Sequence, residues 1–288
     1  MDDLLSIKDL SNEQIGKIFD LTADLKKTPL NKTLQGKTVA MIFEKPSTRT
    51  RVSFEVGVYQ LGGHAVLLSD ATVQLGRRES IADVARTLSR YVNGIVIRTF
   101  EHEKVLELAK YSSVPVINAL SDHSHPCQAL ADVYTIMEKK GDIKGLNVVF
   151  VGDGNNVSRS LNVLAKKSGM NFYLCCPKGY ELEDCEILHD PKEAAKMADV
   201  LYTDVWTSMG QEKESAKRKK AFKNYQLNKE LLSHAKKDVL VMHCLPAHRG
   251  EEITDDVIDS GSSIVFDQAE NRLHAQKAVM MILMGEKQ

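Results

Sequence analysis

Three features are scarce in this 288-residue sequence: long apolar runs, pairable cysteines and an excess of charge of one sign. No apolar stretch approaches the roughly 20 residues of a membrane-spanning helix, and the acidic start MDDLLSIKDL lacks a signal-peptide core. Lys and Arg total 38 against 39 Asp and Glu, so the charge balance does not indicate nucleic acid or an anionic membrane as a partner. Any strong positive field in this protein must therefore be local.

Cysteine usage favours a reducing compartment. The chain has five cysteines, an odd number, and Cys175 and Cys176 are adjacent, which is a poor arrangement for a framework of disulfides. Hydrophobic residues make up 43% and charged residues 27%, a composition that allows a sizeable core and argues against disorder. We predict a cytoplasmic protein with two ordinary folded domains or one large one.

Strand and helix signals alternate along almost the whole chain, and the strand runs are short and nearly continuous in apolar residues. Such runs are typical of parallel sheets covered by helices on both faces. The polar break KKGDIKG divides two series, so we predict an α/β protein with two parallel-sheet domains linked by helices: residues 1–140, residues 141–270, and a C-terminal helix (about 271–288) that packs back on the first domain. The predicted strands are TVAMIF, AVLLS, GIVIRTF and PVINAL in the first series and LNVVFVGD, NFYLCCP, DVLYTDV, VLVMHCL and SIVFDQ in the second, with the final helix beginning near Glu270.

Two polar stretches have simple structural interpretations. Ser11 and Gln14 predict a capping box at the start of the first helix, which runs to about Lys27. The charge run KESAKRKK, residues 213–220, is typical of a solvated or mobile surface segment rather than an anion site.

The stretch FEKPSTRTRVSFEVG, residues 43–57, places Arg49 and Arg51 where a predicted strand ends and a helix begins. Cations at a helix start oppose the helix dipole, whose positive end lies there. A helix start with Ser47 or Thr48 as its cap, backbone N–H groups and a guanidinium is a good site for an anion, which would relieve that repulsion. The alternative is a plain helix cap with two exposed arginines.

Two further cations lie at the carboxyl ends of predicted strands or at helix starts. Arg98 ends the strand GIVIRTF, and His125 precedes a helix whose first residue is Pro126. Ligands of open α/β sheets bind at the carboxyl ends of the strands, so both residues are candidates for the same anion site.

Five motifs in this order resemble the aspartate/ornithine carbamoyltransferase family: FEKPSTRTR, HPCQALAD, GDGNN, DVWTSMG and HCLPAHRGEEI. The last three resemble its ornithine branch. The resemblance runs from the first helix to the C-terminal helix. It implies a transferase of arginine metabolism and amino-acid biosynthesis, with a carbamoyl-phosphate domain, a Rossmann-like ornithine domain, and homotrimers that share active sites. Whether such trimers assemble further stays open.

The same resemblance implies roles for individual residues and requires neither a metal nor a cofactor. Gln74 would reach into the site of a neighbouring subunit, and the catalytic residues would be Arg98, His125, Cys244 and Arg272. The residues implied to bind carbamoyl phosphate are Ser47, Thr48, Arg49, Thr50, Gln74, Arg98, His125, Gln128, Cys244, Leu245 and Arg272. Those implied to bind ornithine are Asn156, Asp204, Ser208 and Met209.

The chemistry of carbamoyl transfer fits these residue types. The δ-amine of L-ornithine would attack the carbamoyl carbon directly, and a tetrahedral intermediate would release phosphate and L-citrulline. Donors such as Thr50, Arg98 and His125 would stabilise the developing oxyanion. Because a lysine-like amine has a pKa near 10.4, we expect Asp204 and Cys244 to position and desolvate the amine so that its neutral form attacks.

Other functions fit the motifs less well. VVFVGDGNNVSRSL begins like a dinucleotide fingerprint, but Val157 stands where the third glycine should be, after Gly152 and Gly154. A zinc hydrolase could draw on His123, His125, Cys127, His243, Cys244 and His248, but these lack standard ligand spacing. A non-catalytic relative that keeps only the fold is a third possibility. Within the enzyme class, the alternative acceptors are putrescine, N-acetylornithine and aspartate.

Overall fold

A computed structural model describes residues 1–208 and 210–285, with only the backbone described for Thr72. The chain divides into two compact units, one formed by Met1–Tyr134 with Glu270–Gln288 and the other by Thr135–Ala269. Each unit is built around its own parallel sheet. The prediction of two parallel-sheet α/β domains is therefore confirmed.

The first unit contains a four-stranded sheet in the order β2-β1-β3-β4. All neighbouring strands are parallel, and every residue of β3 is buried, as its apolar sequence requires. The strands are β1 (Thr38–Phe43), β2 (His64–Ser69), β3 (Gly94–Arg98) and β4 (Val116–Leu120). The helices are α1 (Asn12–Lys27), α2 (Thr48–Gln60), α3 (Asp70–Val73), α4 (Ile81–Leu88), α5 (His102–Tyr111) and the start of α6 (Pro126–Lys140), with a 3-10 turn at Ile7–Asp9.

The second unit contains a five-stranded parallel sheet in the order β7-β6-β5-β8-β9. The strands are β5 (Asn147–Val151), β6 (Asn171–Cys175), β7 (Glu186–Leu188), β8 (Val200–Thr203) and β9 (Leu240–His243). The chain order reverses between β5 and β8, and ligands of doubly wound sheets bind at the carboxyl ends of the strands at such a point. The helices are α7 (Asn156–Lys167), α8 (Pro191–Met197), α9 (Ser215–Phe222), α10 (Lys229–Ser233), α11 (Asp255–Ile258) and the start of α12 (Val265–Met284), with a 3-10 turn at Glu212–Glu214.

The helix starts confirm the predicted caps. Ser11 and Gln14 form the capping box of α1, with both reciprocal hydrogen bonds present. Ser47 is the N-cap of α2, and its side chain accepts from the backbone N–H of Thr50 at 3.3 Å. Gly62 follows the end of α2 with φ of 82°, a conformation that favours glycine.

One local prediction was wrong, and another was incomplete. SIVFDQ is not a strand: after a single bridge between Ser263 and Val241, helix α12 begins at Val265, so the final helix does not start near Glu270. A short apolar run cannot by itself distinguish a buried strand from a buried helix segment. The charge run is mostly exposed, as predicted, but it contributes to α9 and its Arg218 is buried.

Among the described residues, no helix is both long and apolar enough to cross a membrane. The described structure contains five cysteines, and all five are free thiols.

Candidate active site

The start of α2 presents cations and polar groups together. Ser47 is partly exposed, and Thr48 and Arg49 are exposed, whereas Thr50 is only 2% exposed. Arg49 forms no ion pair or hydrogen bond with any residue that the structure describes, while Arg51 pairs with Glu55 at 3.1 Å. The first helical turn therefore offers one unpaired guanidinium and free backbone N–H groups to an anion.

Two guanidinium groups converge on the hydroxyl of Thr50. Arg98 Nη1 donates to Thr50 Oγ1 at 3.2 Å, and Arg272 Nη2 approaches the same oxygen at 3.4 Å. All three residues are less than 9% exposed. Since a hydroxyl oxygen has two lone pairs, both of which these arginines use, the Thr50 O–H is left as a donor. The site thus combines two buried cations with a hydroxyl donor beside the helix start.

Gln128 extends this group along α6. Its Oε1 accepts from Arg272 Nη1 at 2.5 Å, and its Nε2 donates to Asp132 Oδ1 at 2.8 Å. Gln128 and Asp132 are almost completely buried. Because Asp132 binds the amide nitrogen, the amide oxygen of Gln128 faces Arg272.

His125 lies immediately before α6 and is 4% exposed. Burial lowers the pKa of its imidazole well below the ordinary value, and the positive charges of Arg272 and Arg98 lower it further. The imidazole is therefore neutral at neutral pH and can serve as a hydrogen-bond donor but not as a charged acid.

Gln74 stands apart from these contacts. It is exposed, it ends α3 with φ of 44°, and its carbonyl accepts from the amides of Arg77 and Arg78. Among the described residues its side chain forms no hydrogen bond to the residues around Thr50. The structure of a single chain therefore neither supports nor excludes a role for Gln74 in another subunit.

In the second unit, Asp204 follows β8 and is 7% exposed. Its Oδ1 accepts from the Cys244 thiol at 3.0 Å and from the Val205 N–H at 2.8 Å. Its Oδ2 accepts from Asn155 Nδ2 at 2.9 Å. Asn155 is also the N-cap of α7, so the same amide caps a helix and orients the carboxylate. Such an oriented carboxylate can bind an ammonium group.

The segment after β9 is held by a buried pair of side chains. His243 Nδ1 accepts from the Leu245 N–H at 2.8 Å, so His243 Nε2 carries the proton that it donates to Glu252 Oε1 at 3.0 Å. Both His243 and Glu252 are 0% exposed. This arrangement fixes the backbone on both sides of Cys244, and Leu245 adopts φ of 54°.

Ser208 and Asn156 occupy partly exposed positions in the second unit. Asn156 is the first residue of α7, and the Ser208 N–H donates to Gln211 Oε1 at 3.2 Å. Met209, which the resemblance assigns to ornithine, lies outside the described residues.

Arg218 ties the segment around Ser208 to the end of β5. Its Nη1 donates to Asp153 Oδ2 at 2.8 Å and to the Trp206 carbonyl at 3.1 Å, and its guanidinium lies over the Tyr180 ring at 5.2 Å. Burial raises the pKa of Asp153, although the charge of Arg218 opposes this shift. The charge run at 213–220 therefore contains a structural cation close to the candidate ligand residues.

A metal ion has two candidate positions in the second unit. Donor atoms of Asp204, His243 and Cys244 lie within 4.8 Å of one another, and so do those of His248, Glu251 and Glu252. In the first group, however, the Cys244 thiol already binds Asp204 and both His243 nitrogens bind other residues. The absence of a metal stays a prediction.

Asp132, Asn155 and Arg218 are site residues that the sequence reasoning did not assign. Asp132 stands four residues after Gln128, so the i, i+4 spacing on a helix was a usable signal. Asn155 lies in the motif GDGNN, but the motif alone does not separate its role from that of Asn156. Arg218 carried no comparable signal, because one buried cation among exposed lysines has the same sequence appearance as its neighbours.

The fold and these two clusters define a two-unit α/β protein of the class that binds ligands at the carboxyl ends of parallel strands. Family models narrow this class. Residues 2–138 match the carbamoyl-P binding domain, and residues 144–283 match the Asp/Orn binding domain, of aspartate/ornithine carbamoyltransferases. The chain belongs to the aspartate/ornithine carbamoyltransferase family.

Individual relatives cover nearly the whole chain. A protein of Thermococcus kodakarensis named ornithine carbamoyltransferase is 57% identical, over 98% of this chain and 96% of its own. The solved ornithine carbamoyltransferase of Pyrococcus furiosus is 54% identical with a TM-score of 0.95, covering 99% of this chain and 98% of that one. A solved N-acetyl-L-ornithine transcarbamylase is also similar in fold, at 31% identity and a TM-score of 0.88, covering 98% of this chain and 100% of that one.

Proposed function

We propose that this chain transfers the carbamoyl group of carbamoyl phosphate to the δ-amine of L-ornithine, giving L-citrulline and phosphate. The observation that carries this proposal is the convergence of Arg98 and Arg272 on the Thr50 hydroxyl, beside the capped start of α2. That arrangement supplies cations, N–H donors and an O–H donor for a phosphorylated substrate. Relatives that are more than 50% identical over 98% of the chain carry the name ornithine carbamoyltransferase.

The first unit supplies groups for the donor substrate. Arg49 and the first turn of α2 bind the phosphate oxygens, together with the residues Ser47, Thr48, Thr50 and Arg98. Neutral His125, Thr50 and Arg98 donate to the carbonyl oxygen as it becomes an oxyanion. Each charge-assisted hydrogen bond to the anion is worth about 1.5–3 kcal/mol. Gln128 and Arg272 hold the carbamoyl amide, since the second lone pair of Gln128 Oε1 can accept from its N–H.

The second unit supplies groups for the amine substrate. Asp204 binds an ammonium group of ornithine. Hydrogen bonds from Asn155 and Cys244 hold the Asp204 carboxylate in place. Asn156, Ser208 and Met209 complete the ornithine contacts, and Cys244 and Leu245 lie beside the reacting amine. The amine must lose a proton before it attacks, because only its neutral form has a free electron pair. We therefore expect kcat/KM to rise with pH through the neutral range.

The direct test offers the purified protein carbamoyl phosphate with four acceptors in turn: L-ornithine, N-acetyl-L-ornithine, putrescine and L-aspartate. The readout is the ureido product. A kcat/KM for ornithine that exceeds the other values by at least two orders of magnitude supports the proposal. A preference for N-acetylornithine would move the chain to that branch, and no product from any acceptor would favour a non-catalytic relative. Activity that survives prolonged chelation would support the absence of a metal.

We further infer that copies of the chain form a homotrimer in the cytoplasm, in which Gln74 reaches a neighbouring active site. The support is an exposed apolar face on α2, formed by Val52 (50% exposed), Val56 (36%) and Tyr59 (76%). Edge strand β2 also exposes an apolar side chain, that of Val66. Light scattering coupled to size-exclusion chromatography tests the assembly. Tyr59→Lys should lower the mass to that of a 32.1 kDa monomer. We also propose that the first domain ends at residue 140 and that the second ends at residue 270.

A further inference from the structure

We propose that Gln276 is a positioning residue for Arg272, one that holds its guanidinium without neutralising it. The inference rests on the proposed carbamoyl transfer, in which Arg272 binds the carbamoyl group. Gln276 lies four residues after Arg272, one turn further along α12, and is 0% exposed. A fully buried amide needs partners for its oxygen and its nitrogen.

One orientation of the Gln276 amide satisfies all of its neighbours. Its oxygen accepts from Arg272 Nη2 at 3.0 Å, and its nitrogen donates to the Arg272 carbonyl at 3.1 Å and to Ser53 Oγ at 2.7 Å. The opposite orientation would place the amide N–H groups against the guanidinium donors. Gln276 therefore receives a hydrogen bond from the same guanidinium nitrogen that approaches Thr50.

Ser53 extends this contact to the anion site. Its hydroxyl donates to the Thr50 carbonyl at 3.2 Å while it accepts from Gln276. Thr50 and Ser53 both lie in the first two turns of α2, whose start bears the Ser47 cap. Gln276 thus links the guanidinium of Arg272 to α2, the helix that binds the phosphate. Movement of the guanidinium relative to α2 would break these hydrogen bonds.

The choice of an amide has an electrostatic consequence. The oxygens of Gln128, Gln276 and Thr50 that accept from the Arg272 guanidinium are all neutral. A carboxylate at position 276 would hold Arg272 equally firmly, but it would form an ion pair in a buried setting and cancel much of the charge available to substrate. Glutamine orients the cation and leaves that charge to act on the carbamoyl group.

The experiment compares three variants of the full chain: Gln276→Leu, Gln276→Glu and the matched control Lys277→Met. Lys277 is the next residue on α12 and is equally buried, but its ammonium binds Pro29 and Gln60 rather than Arg272. Steady-state kinetics should give kcat and the KM for each substrate. Chemical denaturation confirms that each variant is folded under the assay conditions.

We expect Gln276→Leu to lower kcat/KM for carbamoyl phosphate by about 10- to 100-fold, with the KM for ornithine changed less than about twofold. Gln276→Glu should also lose activity, although it can still accept from Arg272, and Lys277→Met should keep the wild-type ratio of the two KM values. In an Arg272→Ala background, Gln276→Leu should cause no further loss.

Three outcomes would overturn the inference: wild-type kinetics in Gln276→Leu, full activity in Gln276→Glu, or a loss that persists undiminished in the Arg272→Ala background. These outcomes are separate from failure of the proposed function, because that failure would appear in the wild-type protein as the absence of a ureido product.

Discussion

The side-chain amide of Gln128 donates from Nε2 to Asp132 Oδ1 at 2.8 Å, one turn further along α6. This bond decides which end of the amide meets Arg272, because only the oxygen remains to accept from Nη1 at 2.5 Å. Asp132 therefore fixes the orientation of the Gln128 amide, so that Gln128 accepts the hydrogen bond from Arg272.

Asp132→Asn should lower kcat/KM for carbamoyl phosphate about 10-fold, since a neutral partner no longer selects the amide orientation and a charge-assisted bond is lost. The KM for ornithine should change little. Steady-state kinetics check this, with the exposed Asp20→Asn on α1 as the control. Equal kinetics in the two variants would show that Asp132 does not orient Gln128.

Arg49→Ala should weaken carbamoyl phosphate binding by about 10- to 100-fold, because Arg49 is exposed at the start of α2 and pairs with no residue in the described part of the chain. The matched control is Arg51→Ala, two residues along the same helix, which removes an arginine already paired with Glu55. Isothermal titration calorimetry measures both. The wild-type affinity should also fall as salt is added, and this dependence should be weaker in Arg49→Ala.

The outcome for Arg49 also decides between the two interpretations of residues 43–57, an anion site or a plain helix cap. If both arginine variants bound carbamoyl phosphate like the wild type, the start of α2 would be a plain helix cap, and the anion site would have to lie elsewhere.

Asp204→Asn should raise the KM for ornithine by about 10- to 100-fold, because the carboxylate that binds the ammonium would lose its charge. Carbamoyl phosphate affinity should stay within about twofold. Cys244→Ala should have a smaller effect in the same direction, since it removes one of the donors that hold Asp204. Asp256→Asn, an exposed position in α11, is the control. A fall in carbamoyl phosphate affinity without a change in the ornithine KM would contradict this role.

The sequence predicted the parts of the fold that depend on local pattern. Buried runs such as TVAMIF and GIVIRTF became the central strands, and Ser47 capped the helix whose start carries the cations. Local sequence patterns could not predict the contact between Arg272 and Thr50, because the two residues are 222 positions apart in the chain. The resemblance supplied that pairing through known roles, and the structure supplies the contact.

The errors have a physical reason as well. SIVFDQ carries too few residues to separate a period of 2 from a period of 3.6, and the buried Gln268 is polar because it donates to Tyr202 and accepts from the His243 N–H. Arg218 is buried because it pairs with Asp153, a partner 65 residues away that no local window includes. Sequence patterns report burial of apolar residues well and burial of paired polar residues poorly.

The depressed pKa of His125 predicts an acid-sensitive contribution to stability. The unfolded histidine takes up a proton near pH 6.5, whereas the folded one stays neutral to lower pH because of burial and the charges of Arg272 and Arg98. The unfolded state thus binds more protons below pH 6.5, so the free energy of unfolding falls as pH decreases, by at most about 1.4 kcal/mol per pH unit. His125→Gln should reduce this slope between pH 6.5 and 5 in urea denaturation. An unchanged slope would mean that the buried imidazole is protonated in the folded protein.

Lys277 should make the free energy of unfolding depend on pH in the alkaline range. Burial lowers the pKa of its ammonium to about 8, although the group binds the Pro29 carbonyl at 3.0 Å and Gln60 Oε1 at 2.7 Å. Between pH 8 and about 10.4 the unfolded lysine keeps a proton that the folded one has released. The free energy of unfolding should therefore rise with pH across this window.

Urea denaturation at pH 7.5, 8.5 and 9.5 measures that rise, and Lys277→Met should remove it. Lys229→Met on α10 should leave it intact, because that side chain is 81% exposed and packs in no buried site. The neighbouring His274 has a lowered pKa and is already neutral in this range, so it adds no slope of its own. If the wild type and Lys277→Met showed the same dependence on pH, the ammonium of Lys277 would be charged in the folded protein up to its ordinary pKa, and its carbonyl partners would outweigh the cost of burial.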